Sequence, residues 1–259
     1  MPDEDKAKFW RVKRRLIAVI VLVFVICVIG AYMYYSKAEP LPTCTDGVRN
    51  QNELGTDCGG VCKLSCQNSY NPLIVKYARA VKVKANTYDL VGVIENSNLD
   101  KYPKEVSYTM TAYNSNGTKA SEVKGVTFLS AAASVPVIVQ NVISDAPINK
   151  VFLSIDSAVM YDKQDDKSSR VKVVSSSYDD NNKIMTVKVV NAGDIDVRNV
   201  SVRSIITDSL DSAVAAGQRN ITLIAAGQEQ EITMTWYESL GLPNLRTQVY
   251  IAADPYYNN

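Results

Sequence analysis

Three textures of hydrophobic and polar residues follow one another along this chain. From Leu16 to Tyr35 the run LIAVIVLVFVICVIGAYMYY holds twenty residues without a charge. As a helix it is long enough to cross the roughly 30 Å hydrocarbon layer of a bilayer. Residues 36–72 are polar and rich in Cys, Gly, Asn and Asp. Beyond them, short runs of alternating apolar and polar positions are broken by Asn, Asp, Gly and Pro, the pattern of an antiparallel β-sandwich. The alternation predicts strands at ARAVKVKA, YDLVGVIEN, EVSYTMTAY, EVKGVTFL, VPVIVQNV and KVFLSID. A second set follows at RVKVVSS, IMTVKVVN, VRNVSVRSIIT, NITLI, EITMTWY and TQVYIAA.

The two sets share a register. Asn96 aligns with Asn191, Val106 with Val200, Tyr108 with Val202, Leu129 with Ile224 and Val137 with Ile232, all at offsets of 94 or 95 residues. A steady offset argues for an internal repeat, with units large enough to bury a core without metal. The predicted fold class is therefore all-β: two tandem immunoglobulin-like antiparallel β-sandwiches after an N-terminal transmembrane α-helix and a small disulfide-rich neck. The expected divisions are a tail at 1–15, the span at 16–35, a neck at 36–72, a first sandwich at 73–160, a linker at 161–170 and a second sandwich at 171–255. In the second unit Val200, Val202, Ser204 and Ile206 should face inward with Ile232, Met234 and Trp236. Ser201, Arg203, Thr233 and Thr235 should point to water. The charged stretch YDKQDDKSSR is the expected joint of an outward-projecting stalk.

Flanking charge gives the span a direction. Lys6, Lys8, Arg11, Lys13, Arg14 and Arg15 precede it, against Asp3, Glu4 and Asp5, while Lys37 and Glu39 balance each other on the far side. The positive-inside bias places the N-terminus in the cytoplasm and the rest outside the plasma membrane. Phe9 and Trp10 on one flank, and Tyr32, Tyr34 and Tyr35 on the other, are rings suited to the two headgroup layers. A cleaved secretion signal is the alternative, with Ser36 and Ala38 as small residues in a cleavage-like pattern, although the apolar run is longer than the usual signal. Cys27 lacks the small residue expected before a lipid-modified cysteine and reads as a helix residue.

Composition narrows the function. Hydrophobic residues make up 46% of the 259 and charged residues 21%, which is the make-up of a chain with real cores. A formal net charge of +1 provides no field to draw in nucleic acid, so none is expected as a partner. There is no histidine, which removes the commonest general base and metal ligand and much enzymology with them. No cofactor is expected, calcium at the neck excepted.

In CTDGVRNQNELGTDCGGVCKLSC, residues 44–66, four cysteines fall in a stretch too small to build its own core. Outside the cytoplasm Cys44, Cys58, Cys62 and Cys66 should close two disulfides, in any of three pairings. A four-thiolate zinc site is disfavoured, because the spacing lacks paired knuckles. Asp46, Asn50, Asn52, Glu53 and Asp57 are hard oxygen donors of the kind calcium takes, and equally are turn formers among Gly47, Gly55, Gly59 and Gly60. The stretch resembles a short cysteine module of exported microbial surface proteins, in which a Cys, an Asp-Gly, an Asn, a Glu and an Asp-Cys-Gly-Gly recur in this order.

The runs VGVIENSN, VSYTMTAYNSNG and LSAAASVPVIV resemble FxLYD-type extracellular β-sandwich domains. Met110, Ala112, Tyr113 and Asn114 stand at that family's Phe, Leu, Tyr and Asp places, and in the second copy Ser204, Ile206, Thr207 and Asp208 do. Only Tyr113 and Asp208 keep the named residues. VVNAGDIDVRNVSVRSIITDS with IAAGQEQEITMTW is closer to the related CARDB-type pattern. The resemblance implies immunoglobulin-like architecture in spacers, adhesion modules or protein-binding units, with no catalytic set.

Other signals are bland. Ser121 and Lys124 form an S-x-x-K tetrad without its partner motifs. The acid pairs Asp165/Asp166, Asp179/Asp180 and Asp194/Asp196 fall at predicted turns or the linker. Asn116, Asn199 and Asn220 head glycosylation sequons, and the terminal PYYNN reads as a frayed end. The expected function is a non-catalytic, single-pass cell-surface protein presenting its sandwiches for protein binding or adhesion. The alternative is an accessory structural subunit of a larger membrane or envelope complex. In either case the partner is a protein or envelope component whose identity the residues leave open.

Overall fold

The computed structural model describes residues 3–36, 43–162 and 170–253. Most of the expected joint, residues 163–169, lies outside the described residues, as do Asp165 and Asp166, the PYYNN end, and Lys37, Ala38 and Glu39 beyond the span. One helix, α1 (Asp3–Ser36), precedes twelve strands. Each strand falls on one of the predicted runs: β1 (Ile74–Lys84), β2 (Thr87–Asn96), β3 (Lys101–Asn114), β4 (Lys119–Thr127), β5 (Ala133–Ile143), β6 (Ile148–Asp162), β7 (Val171–Asp179), β8 (Ile184–Asn191), β9 (Val197–Thr207), β10 (Ala213–Ile224), β11 (Glu229–Thr235) and β12 (Arg246–Ala253). Within α1, Lys13–Met33 has a mean hydropathy of 3.1 and none of it is buried against the rest of the chain. It is long and apolar enough to cross a membrane.

Four three-stranded antiparallel sheets form, ordered β1-β2-β5, β4-β3-β6, β11-β8-β7 and β10-β9-β12. Adding six to each strand number of the first half reproduces the pairing of the second, as an internal repeat requires. Period-two alternation sets the faces: in β8, Met185, Val187, Val189 and Asn191 turn inward while Thr186, Lys188 and Val190 are partly exposed. Between the first two sheets lies a core that includes Leu90, Ile94, Val106, Met110, Val135 and Val137. Between the other two lies a second, with Met185, Val187, Val200, Val202, Ile224 and Met234. A fully buried side chain of this kind contributes about 1.5–3 kcal/mol over its exposed state.

The halves are packed face against face, which corrects the expectation of a stalk of end-to-end units. A third cluster joins them: Val81, Val91, Val93 and Ile138 of β1, β2 and β5 meet Ile205, Ala213, Ala216 and Tyr250 of β9, β10 and β12. The sheets therefore stack in four layers, with β1-β2-β5 and β10-β9-β12 covered on both sides. This overturns one placement from the alternation rule: Arg203 points from β9 into the other half and is 7% exposed, not solvated. Thr233 and Thr235 are exposed as expected, and Ser201 is half-buried. The stacking is head to tail, since the buried sheet of one half is the repeat counterpart of the outer sheet of the other. In the outer sheet of the second half Thr186 and Lys188 stand where Val91 and Val93 stand in the first, so the repeat is not exact at the residues that join the halves.

Candidate functional site

The neck is a disulfide-bonded plug fastened to the first half. Cys44 pairs with Cys62 and Cys58 with Cys66. Cys44, Glu53 and Cys62 lie close enough to suggest a metal cluster, but both sulfurs are bonded to each other and neither is a thiolate. The neck carboxylates turn toward backbone amides, while Asn50 Oδ1 is buried without a hydrogen-bond partner among the described residues. Asp46 accepts from the N–H groups of Thr43 and Val48 and from Asn50 Nδ2. Asp57 accepts from the N–H groups of Asp46 and Gly47, and the buried Glu53 accepts from those of Asn50 and Asp57. These bonds hold the Asp46 carboxyl below the usual range, the Thr43 amide first among them. Asn52 takes a left-handed φ of 70°, which Asn tolerates in turns. At Gly60, with φ of 62°, a side chain would collide with the Asn52 carbonyl, so only glycine fits. The plug is pinned by Ser65 N–H donating to Met160 O at 3.0 Å and by a bridge between Leu64 and Tyr161. Asn71 and Asn98 add a reciprocal pair: Asn71 N–H donates to Asn98 Oδ1 and Asn98 Nδ2 to Asn71 O.

The remaining sequence candidates are placed as follows. Ser121 and Lys124 sit three residues apart in β4, hence on opposite faces of the strand, where neither can activate the other. Asp179 caps the β7–β8 turn through the N–H groups of Asn181 and Asn182. Asp194 pairs with Arg170 at 3.1 Å and Asp196 accepts from the Ala226 N–H. Asn116, Asn199 and Asn220 are exposed. Of the positions carrying the family resemblance, Met110 and Ala112 are core residues, and Tyr113 meets Phe152 edge to face at 6.0 Å. Asn114 and Asp208 cap equivalent turns.

The arrangement that sequence reasoning missed is a cleft between the halves. Two adjoining cavities, about 290 and 220 Å³, share Val83, Asp89, Trp236 and Tyr237. One wall is β1, β2 and β5 with Gln140 and Asn141; the other is β10, with Gln218 and Arg219, and the chain after β11. Asp89 is 4% exposed, accepts one hydrogen bond, from the Asn141 N–H at 2.9 Å, and has its carboxyl pushed up by burial. Trp236 is propped edge to face on Tyr178 at 5.5 Å, and Lys84 Nζ lies 4.4 Å above the Tyr237 ring. Asp180 anchors the loop behind it, accepting from Ser239 Oγ, Tyr178 OH and the N–H groups of Leu240 and Gly241, which brings its carboxyl down to about 2. At Gly217 an added Cβ would press on Met234 Sδ at 2.8 Å. A carboxyl, side-chain amides, a guanidinium and two ring faces suit the capture of a polar partner. The signal was in the sequence: an Asp in the otherwise apolar run YDLVGVI marks either a turn or a buried site.

No family model and no curated protein matches this chain. Among solved structures it is similar to a transglutaminase of red sea bream at 12% identity and a TM-score of 0.24, the match covering 76% of this chain and 30% of that one. It is likewise similar to an exo-chitosanase of Amycolatopsis orientalis at 14% identity and a TM-score of 0.23, covering 71% of this chain and 25% of that one. The chain thus spans 30% or less of those enzymes' length, and likenesses this slight carry nothing about activity.

Proposed function

We propose that this chain is a single-pass, non-catalytic surface protein, with residues 1–15 in the cytoplasm, 16–35 in the plasma membrane and the β-body outside, where it binds a protein or envelope partner. The observation that carries the reading is the uncovered apolar stretch Lys13–Met33: surface of that hydropathy, left bare by its own chain, needs an apolar medium. The basic flank of the helix supports the orientation, and two disulfides in the neck suit an oxidising compartment. Hydrogen bonds pin the neck to the first half, and a cleft whose walls are already packed lowers the ordering cost of association. Such a role agrees with the FxLYD- and CARDB-type resemblance.

The test uses the full chain in sealed cells. Protease added outside should remove the β-body and leave a membrane-bound fragment, and the neck cysteines should resist maleimide until reduced. A protected β-body or freely alkylated thiols would overturn the orientation. For binding, the full chain in mild detergent should retain an envelope component that Trp236→Ala releases. A large complex held instead through residues 1–40 would move the chain to the accessory class.

A further inference from the structure

Away from the cleft, Arg203 presents a charge without a counter-charge. Nε donates to Ser201 Oγ at 3.2 Å, and Nη1 donates to Thr127 Oγ1 at 2.7 Å and to Pro136 O at 2.6 Å. All three acceptors are neutral, and among the described residues no carboxylate pairs with it. Burial lowers its pKa to about 10, which leaves it cationic at neutral pH. A buried cation is costly unless an anion meets it. The two Nη2 hydrogens have no acceptor among the described residues.

Beside this guanidinium lies a cavity of about 390 Å³, of a size that takes a small molecule. Ser201, Gln218, Asn220 and Thr222 provide its polar wall, and Val126 and Phe128 from the first half its apolar one. No acid lines it. Ser201 Oγ already accepts from Arg203, so its own hydrogen is free to donate. Gln218 Nε2 donates to Asn220 Oδ1 at 3.4 Å, which engages the amide oxygen and leaves the Nδ2 group of this lining residue as a further donor. A planar fork with convergent neutral donors and no competing carboxylate is the equipment for an oxyanion.

We propose that this cavity binds a carboxylate carried on a small polar body, the size of a sugar acid, with Arg203 pairing the carboxylate and Ser201 and Asn220 donating to it. The site adjoins the Asp89–Trp236 cleft at Gln218 alone and has neither Asp89 nor Trp236 in its wall, so its failure leaves the surface-protein reading untouched, and the reverse holds. Asn199 also borders the cavity; since Asn199 and Asn220 both head sequons, the protein for the test is made in a host that does not glycosylate.

The experiment is calorimetric titration of the full chain in detergent with glucuronate, glucose and inorganic sulfate at constant ionic strength. Glucuronate should bind saturably below about 20 mM, and glucose should not. Because replacing Arg203 risks the fold, the diagnostic variant is Asn220→Asp, which sets a carboxylate beside the guanidinium. It should weaken glucuronate at least about tenfold while the unfolding midpoint holds or rises. Three results overturn the proposal: no saturable binding of glucuronate, equal binding of glucose, or Asn220→Asp binding as the parent does. Saturable binding of sulfate alone also overturns it, by replacing the carboxylate assignment.

Discussion

Asn96 and Asn191, 95 residues apart, perform the same task at the same corner of the two halves. Asn96 Nδ2 donates to Lys101 O and Ser130 O, and its Oδ1 accepts from the Asn98 N–H. Asn191 Nδ2 donates to Ile195 O and Ile224 O, and its Oδ1 accepts from the Gly193 N–H. Each is almost wholly buried, at 1% and 0% exposure, and each ties the end of one strand to the connections that follow. Replacing either by Ala removes two donated hydrogen bonds and an accepted one from a buried corner, so each variant should lose about 2–4 kcal/mol. Urea unfolding of the two side by side checks this, and a loss confined to one would break the functional equivalence of the corners.

Thr207 Oγ1 is buried at the junction between the halves with no hydrogen-bond partner. Thr207→Val keeps the shape and removes the stranded hydroxyl, so it should stabilise by about 1 kcal/mol. The change should appear as a higher urea midpoint with an unchanged slope.

The buried Asp89 should make stability depend on pH. Its folded carboxyl ionises above the ordinary 3.8. Its contribution is therefore complete below pH 3.8 and is lost as pH rises through the raised folded value. Asp89→Asn should then be more stable than the parent at pH 7, and the difference should vanish at or below pH 3.8. Unfolding midpoints measured across that window decide it.

Asp180 has the opposite sign. Its folded carboxyl sits at about 2, below the ordinary 3.8, so its contribution is present above pH 3.8 and lost as pH falls toward 2. Asp180→Asn should release the loop at Ser239–Gly241 at neutral pH and resemble the parent near pH 2. Trp236 emission, close to Tyr178 and this loop, reports the change.

Reduction should undo the neck and spare the sheets. Neither core includes a neck cysteine, whereas the plug is organised by two disulfides and turn hydrogen bonds alone. With reductant, trypsin should gain cleavage at Arg49 and Lys63 while the β-sheet circular dichroism persists. Collapse of both together would mean that the plug is needed for the first half to stand.

The strands and their two-unit repeat were legible because alternation and turn residues are local chemistry: a strand with one wet face announces it every second residue. IMTVKVVN shows this, with inward Met185, Val187 and Val189 plain from the pattern. The same rule misassigned Arg203, since it assumes that every sandwich has one face in water. YDLVGVI, apolar on both faces, hints at a strand covered on two sides, yet nothing local says what covers it. The four cysteines marked a disulfide module, but the pairing depended on how Gly60 and the buried Glu53 fold the loop.

By itself, then, the sequence determined the apolar helix, the cysteine plug, twelve strands and the repeat between Asn96 and Asn191, because each rests on neighbours within a few residues or on a fixed spacing. Only the tertiary structure decided that the halves stack face to face, and with that the burial of Asp89 and Arg203 and the cavities beside them. The physical reason is that a residue on the outer face of a sheet is wet or dry according to whether another layer arrives, and that layer comes from far along the chain, 67 and 76 residues away at Arg203.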